Sequence, residues 1–159
     1  MIQKLVRAKW AFCSLAFLCL AFSGCTPDAV DGSPAKVLEN YIQTSFHAKT
    51  LDDKRHMEEL LTGDTKNRLV SWSDDQFNKA FVEAKKKFQS LKILETKKIS
   101  DQEVALTYEL SYQDGPEDKT AEVTQRKMST IVQENGAWKI KEVRSIRESI
   151  EYLKEFSLP

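Results

Sequence analysis

Cysteine, histidine, carboxylate and aromatic side chains are the groups in this 159-residue chain with chemistry to offer, and they are unevenly spread. The three cysteines, Cys13, Cys19 and Cys25, all fall at the N-terminal end. Cys13 and Cys19 sit inside an apolar run at residues 10–22, so no disulfide or thiolate metal site is expected in the segment that follows. His47 and His56 fall on or near separate expected helices, not one turn apart on a single helix, and no metal or cofactor is expected from them. There is no glycine-rich phosphate loop and no nucleophile elbow. Tyr41, Trp72, Tyr108, Tyr112 and Trp138 offer broad apolar faces with polar tips; they are candidate lining for a cavity that takes an apolar or aromatic ligand, or core residues. Among the acids, Glu95 shares a face with Leu91 and Ile93 if its strand is regular, whereas a bulge turns it outward.

The elements that would position these groups begin after a leader. Lys4, Arg7 and Lys9 precede the apolar run, and Ser23 and Gly24 follow it before Cys25, which is the layout of an export signal. The run is only about 13 residues, while a helix crossing the bilayer core needs about 20, so a membrane span is disfavoured. Removing Lys4, Arg7 and Lys9 leaves 21 basic against 24 acidic residues, a mildly acidic domain with no electrostatic reason to bind nucleic acid.

Phe22-Ser23-Gly24-Cys25 resembles the lipobox of bacterial lipoproteins, with Phe22 standing where the family usually has leucine and keeping its size and hydrophobicity. The resemblance implies a diacylglyceryl thioether on Cys25, recognition of Phe22, Ser23 and Gly24 by a dedicated peptidase that cuts before Cys25, and acylation of the new amine, commonly with palmitate. One acyl chain binds a membrane only marginally at about 0.8 kcal/mol per methylene, so two or three chains are what anchor the protein. Thr26 follows the cysteine in place of aspartate, which by the same resemblance favours the outer membrane, facing the periplasm, in a cell with two membranes. The expected organisation is a signal peptide at 1–24, a lipidated tether at 25–32 and one domain at 33–159. Eight tether residues span at most about 28 Å at about 3.5 Å each, which keeps the domain near the headgroups.

Ser33-Pro34 supplies a cap and a first-turn proline for a helix to about residue 49, with Val37, Leu38, Tyr41, Ile42 and Phe46 at helical spacing. A second helix follows Thr50, with Asp52 and Asp53 in its first turn and Met57, Leu60 and Leu61 as its apolar face. Leu69, Val70 and Trp72 suggest a short helical piece. Ser73-Asp74-Asp75 caps a third main helix whose Phe77, Ala80, Phe81, Ala84 and Phe88 form one stripe; its Lys85-Lys86-Lys87 run reads as a solvated face. From there the period becomes two. Leu91, Ile93 and Ile99 mark a first strand, Val104, Leu106, Tyr108, Leu110 and Tyr112 an alternating second, residues 122–133 a third, and Asn135-Gly136 turns it into a fourth over 137–143. Ser145 then caps a last helix bearing Ile146, Ile150, Leu153 and Phe156 on one face.

Helices first and antiparallel strands after them predict an α+β domain, with N-terminal helices packed on a curved sheet of about four strands and a C-terminal helix. The opening Ser-Pro-Ala-Lys-Val-Leu-Glu-Asn-Tyr-Ile helix and the closing Glu-Asn-Gly-Ala-Trp-Lys-Ile-Lys-Glu-Val hairpin resemble, over about residues 33–143, the cone-shaped superfamily named for nuclear transport factor two, and within it a bacterial lipoprotein branch. Members of that superfamily use the cone for catalysis, ligand binding or dimerisation, so the fold does not choose among them. Its ketosteroid isomerases place an acidic base and an oxyanion-stabilising pair there. The leading expectation is a non-catalytic envelope lipoprotein that binds a protein partner or small apolar ligand. The alternatives are an isomerase or dehydratase-like enzyme using Glu95 with Tyr108 or Tyr112, and a homodimeric structural module.

Overall fold

The computed structural model describes residues 32–116 and 120–152. Residues 1–31 lie outside that range, and with them the expected leader, the lipobox and Cys25. Among the described residues no helix is long and apolar enough to cross a membrane. Within the described residues four helices come first, α1 (Pro34–His47), α2 (Leu51–Glu59), α3 (Gly63–Val70) and α4 (Asp74–Phe77), the last continuing into a π-helical turn at Asn78–Val82. Four strands follow, β1 (Lys86–Ser100), β2 (Glu103–Asp114), β3 (Ala121–Glu134) and β4 (Ala137–Tyr152), antiparallel in the order β1-β2-β3-β4.

Local chemistry fixes the helix starts. Ser33 Oγ accepts from Lys36 N at 3.3 Å, with Pro34 at the first helical position. At α2 the Asp53 carboxylate reaches back to accept from Lys49 N (2.9 Å) and Thr50 N (3.0 Å), which holds its pKa below the usual carboxylate value. Ser73 and Gln76 exchange reciprocal hydrogen bonds at the start of α4.

The alternation on β2 matches its burial: Val104, Leu106, Tyr108, Leu110 and Tyr112 all face the helices and are buried. They join Val37, Leu38, Ile42, Met57, Leu61, Leu69, Phe77, Ile131 and Ile140 in one core. Each such large apolar side chain taken fully out of water contributes about 1.5–3 kcal/mol. Ile140 also anchors the helical layer through its backbone. Its N–H donates to Leu60 O at 2.9 Å, and its carbonyl accepts from Thr62 N at 2.9 Å.

Curvature comes from the edge strands. Against β2, the register of β1 shifts at three places, leaving Gln89, Leu94 and Ile99 as extra residues; against β3, β4 shifts twice, leaving Lys141 and Ile146. The bulges explain why Leu94, Ile99 and Ile146 are exposed although apolar. At the other end, Asn135 (φ 53°) and Gly136 (φ 82°) make the tight turn that the Asn-Gly pair predicts between β3 and β4.

Two expectations are corrected. Among the described residues no helix follows Val143: residues 145–152 continue β4, pairing with β3 from Lys127↔Ser145 to Ala121↔Tyr152. The apolar spacing of Ile146 and Ile150 suits a helix, yet β3 offers an open ladder over its whole length, and the bulge at Ile146 brings Glu148, Ile150 and Tyr152 back into register. Leu153 and Phe156 lie outside the described residues. The third main helix is likewise shorter than its stripe. It ends in the π turn, and Lys86, Lys87 and Phe88 open β1, with Phe88 paired opposite Tyr112 instead of capping a helical face.

Candidate functional site: a cleft between helices and sheet

The helices and the concave sheet enclose a partly open cleft of about 810 Å3. Its walls come from α1 (Tyr41, Ile42, Ser45, Phe46), from α3 and the residues after it (Arg68, Leu69, Trp72), from the π turn and its exit (Ala80, Phe81, Ala84), and from the sheet (Lys86, Tyr108, Leu110, Tyr112, Gln125, Lys127). That volume lies within the range of small-molecule sites.

Four of the five aromatic residues singled out by sequence, Tyr41, Trp72, Tyr108 and Tyr112, line this cleft. Trp138 does not. It sits at the hairpin end of β4, packed against the core as a partly buried side chain. Aromatic contacts set the positions of the others. Phe46 packs on Tyr112 with ring centroids 5.3 Å apart and on Phe88 edge-to-face at 5.7 Å. Trp72 lies 5.9 Å from Phe81, which lies 5.0 Å from Phe77. Lys54 Nζ donates to Trp72 O at 2.7 Å and ties α2 to the segment that carries the indole. Such pairs are worth about 0.5–1.5 kcal/mol beyond their buried area and hold the rings in fixed orientations.

The phenols stay protonated under ordinary conditions. Burial, reinforced by Tyr108, pushes the Tyr41 hydroxyl up to about 12. Tyr41 borders the cleft, so part of its ring is accessible while the protein crowds its hydroxyl. Burial also raises Tyr108 and Tyr112, the latter with help from Asp114 and Glu148. Ser129, fully buried on the same sheet face, has an Oγ that makes no hydrogen bond of good geometry; its contact with the Tyr108 hydroxyl only partly offsets the upward shift there. The phenols that border the cleft are therefore neutral.

Glu95 lies elsewhere. The bulge at Leu94 switches the face of the next residues, so Glu95 stands opposite Thr107 on the outer side of the sheet and is exposed. The acidic residues that do border the cleft are Asp64 and Glu142. Glu142 is gripped by Arg144, whose Nε and Nη2 donate at 2.7 and 2.9 Å, and these bonds lower its pKa. A carboxylate stabilised in this way is a poor proton acceptor at neutral pH. His47 and His56 also lie away from the cleft: His47 Nδ1 is 2.8 Å from Gln43 O, and His56 Nδ1 is 3.8 Å from the Glu59 carboxylate. Among the described residues no group of three or more His, Cys, Asp or Glu side chains could hold a metal ion.

The lining also contains residues that the aromatic pattern does not identify. Lys86, Arg68, Lys141 and Lys127 are basic, against Asp64 and Glu142. Lys127 has a visible signal in the sequence. On β3 the inward positions read Val123, Gln125, Lys127, Ser129, Ile131, three polar residues between two apolar ones, which marks a polar stretch on a face otherwise turned to the core. No family model matches this chain, and no curated protein is significantly similar to it.

Proposed function

We propose that the protein is a membrane-tethered, non-catalytic binding module that takes a small apolar ligand into the cleft between helices and sheet. The observation that carries this reading is the cleft itself, about 810 Å3 and walled by Tyr41, Phe46, Trp72, Phe81, Tyr108 and Tyr112. Aromatic walls with a few polar tips favour burial of an apolar body and orient it through hydroxyl donors. Ligand carriage is preferred to the isomerase-like alternative because Glu95, its acid, is on the outer face, and Glu142 is neutralised by Arg144. The tether is the second half of the proposal. Its support is the sequence at Phe22-Ser23-Gly24-Cys25 and the layout before it, which resemble a lipoprotein leader. A lipid on Cys25 and a tether of eight residues keep the cleft beside the bilayer, where apolar ligands concentrate. Membership of the cone-shaped superfamily belongs to the same proposal, and the order of helices and curved sheet supports it.

Photo-crosslinking on the full chain in its native membranes tests the cleft. A diazirine-bearing decanol analogue is expected to label peptides of α1 and β2 that carry Tyr41 and Tyr108, and to do so saturably. Labelling confined to the segment before residue 33 overturns the reading. Intact-mass analysis of the native product tests the tether, with a terminus at Cys25 and the mass of two or three acyl chains expected; a free thiol there overturns it.

A further inference from the structure

We infer that the cleft selects a monoanionic amphiphile, whose head group is received by Lys127 on β3 while its apolar body lies along the aromatic wall. This inference rests on the ligand-binding reading above and narrows the class of ligand.

Lys127 is opposite Tyr108 in the β2–β3 register, on the concave face, in the middle of the sheet. A lysine there is taken substantially out of water, and burial lowers its pKa. Among the described residues Lys127 makes no hydrogen bond and no ion pair, neither with Asp64 and Glu142, the acidic residues that border the cleft, nor with Glu148. Glu142 is held by Arg144 in a two-point grip. Glu148, an exposed residue on β4, accepts from Gln125 Nε2 and acts on Lys127 only at a distance, as a favourable charge. On the other side Lys86 adds an unfavourable one, its own ammonium lying 5.7 Å from the centroid of the Tyr112 ring. Two cations, Lys127 and Lys86, thus border the cleft and repel each other.

A partly buried ammonium that lacks an acceptor costs stability, and packing alone gives no reason to keep it where methionine or leucine would fill the same space. An anionic head group supplies the missing acceptor, relieves the repulsion from Lys86, and forms a charge-assisted hydrogen bond in a partly enclosed site. One half-buried cation without a partner matches one negative charge, which argues for a monoanion such as a carboxylate. The aromatic wall formed by Phe46, Tyr112, Trp72 and Phe81 argues for an apolar tail. The cleft is basic in a chain whose acidic residues equal its basic ones, so the charge is local to the site.

The test compares diazirine-bearing decanoate and decanol on the full chain in its native membranes, reading cleft-peptide labelling against probe concentration. In the native sequence the anionic probe is expected to half-saturate at a concentration about tenfold or more below the neutral one, the increment of a charge-assisted hydrogen bond. Lys127→Met is expected to bring the half-saturation concentrations of the two probes together, and Lys127→Arg to keep them apart. Equal labelling by both probes in the native chain, or a preference that survives Lys127→Met, overturns the inference and leaves the ligand-binding reading standing. Absence of cleft labelling by either probe defeats both. Should Lys127→Met fail to accumulate, the decanoate to decanol comparison in the native chain and in Lys127→Arg still decides the matter.

Discussion

Replacing Ile140 and Ile150 by alanine, one at a time, sets two positions of the same strand against each other. Ile140 is fully buried on the concave face, opposite Ile131, and its backbone carries the two hydrogen bonds that fasten the α2–α3 connection to the sheet. Ile150 faces the same way but is 51% exposed. Truncating isoleucine to alanine removes roughly three carbon groups, about 2.4 kcal/mol of transfer free energy at about 0.8 kcal/mol each. The cavity left at a site closed on all sides adds to this, so about 3–4 kcal/mol is expected for Ile140→Ala. At Ile150 roughly half of the transfer contribution is already forfeited to solvent and no enclosed cavity forms, so about 1 kcal/mol or less is expected. Urea unfolding of the full chain in lipid nanodiscs, followed by tryptophan fluorescence, measures both. A cost at Ile150 equal to that at Ile140 would refute the reasoning, because it would mean that Ile150 is packed under a covering element, as in the C-terminal helix that its spacing suggests.

Gly63 opens α3 with φ +58°, and an added Cβ there meets nothing within 4 Å, so Gly63→Ala tests backbone strain alone; a loss of about 1–2 kcal/mol in the same unfolding assay is expected. Asp53 has a folded pKa depressed by the Lys49 and Thr50 N–H groups, so its contribution is full above the ordinary value of 3.8 and is lost as pH falls through the lowered one. The stability gap between the native chain and Asp53→Asn should therefore be open at neutral pH and close in strong acid. An alkaline titration followed by ultraviolet difference absorbance should show one tyrosine ionising near pH 12, and Tyr41→Phe should remove that last phase.

Much of the fold is legible because its signals are local. Ser33-Pro34 and Ser73 with Gln76 announce helix starts through their own hydrogen bonds, Asn135-Gly136 demands the φ values that the β3–β4 turn uses, and the five-residue alternation of β2 fixes its buried face. The features that escape a sequence reading depend on partners. Whether Glu95 faces in or out is decided by a bulge at Leu94, and a bulge is a property of the β1–β2 pairing. The spacing of Ile146 and Ile150 favours a helix until β3 supplies a ladder extending to Ala121. Phe88 completes a helical stripe in sequence, yet the π turn ends the helix first and Phe88 enters the sheet against Tyr112.

The candidate site divides in the same way. Tyr41, Trp72, Tyr108 and Tyr112 stand out by type, whereas a cavity between them follows from how far the bulged sheet curves away from α1 and α3. Lys127 was there to be found in the Val123, Gln125, Lys127, Ser129, Ile131 alternation, since a polar run at inward positions is costly unless something answers it. Trp138 resembles its aromatic peers in sequence, and only its place at the hairpin end of β4 separates it from the cleft.

The most direct trial of a ligand-binding cleft is native mass spectrometry of the full chain released from lipid nanodiscs, with Ala84→Trp as the comparison because Ala84 lines the cleft and an indole there occupies its space. One small amphiphile bound non-covalently to the native chain, and absent from Ala84→Trp, is the predicted result. A native chain that carries no such adduct, or an adduct retained equally by the filled variant, would contradict the account.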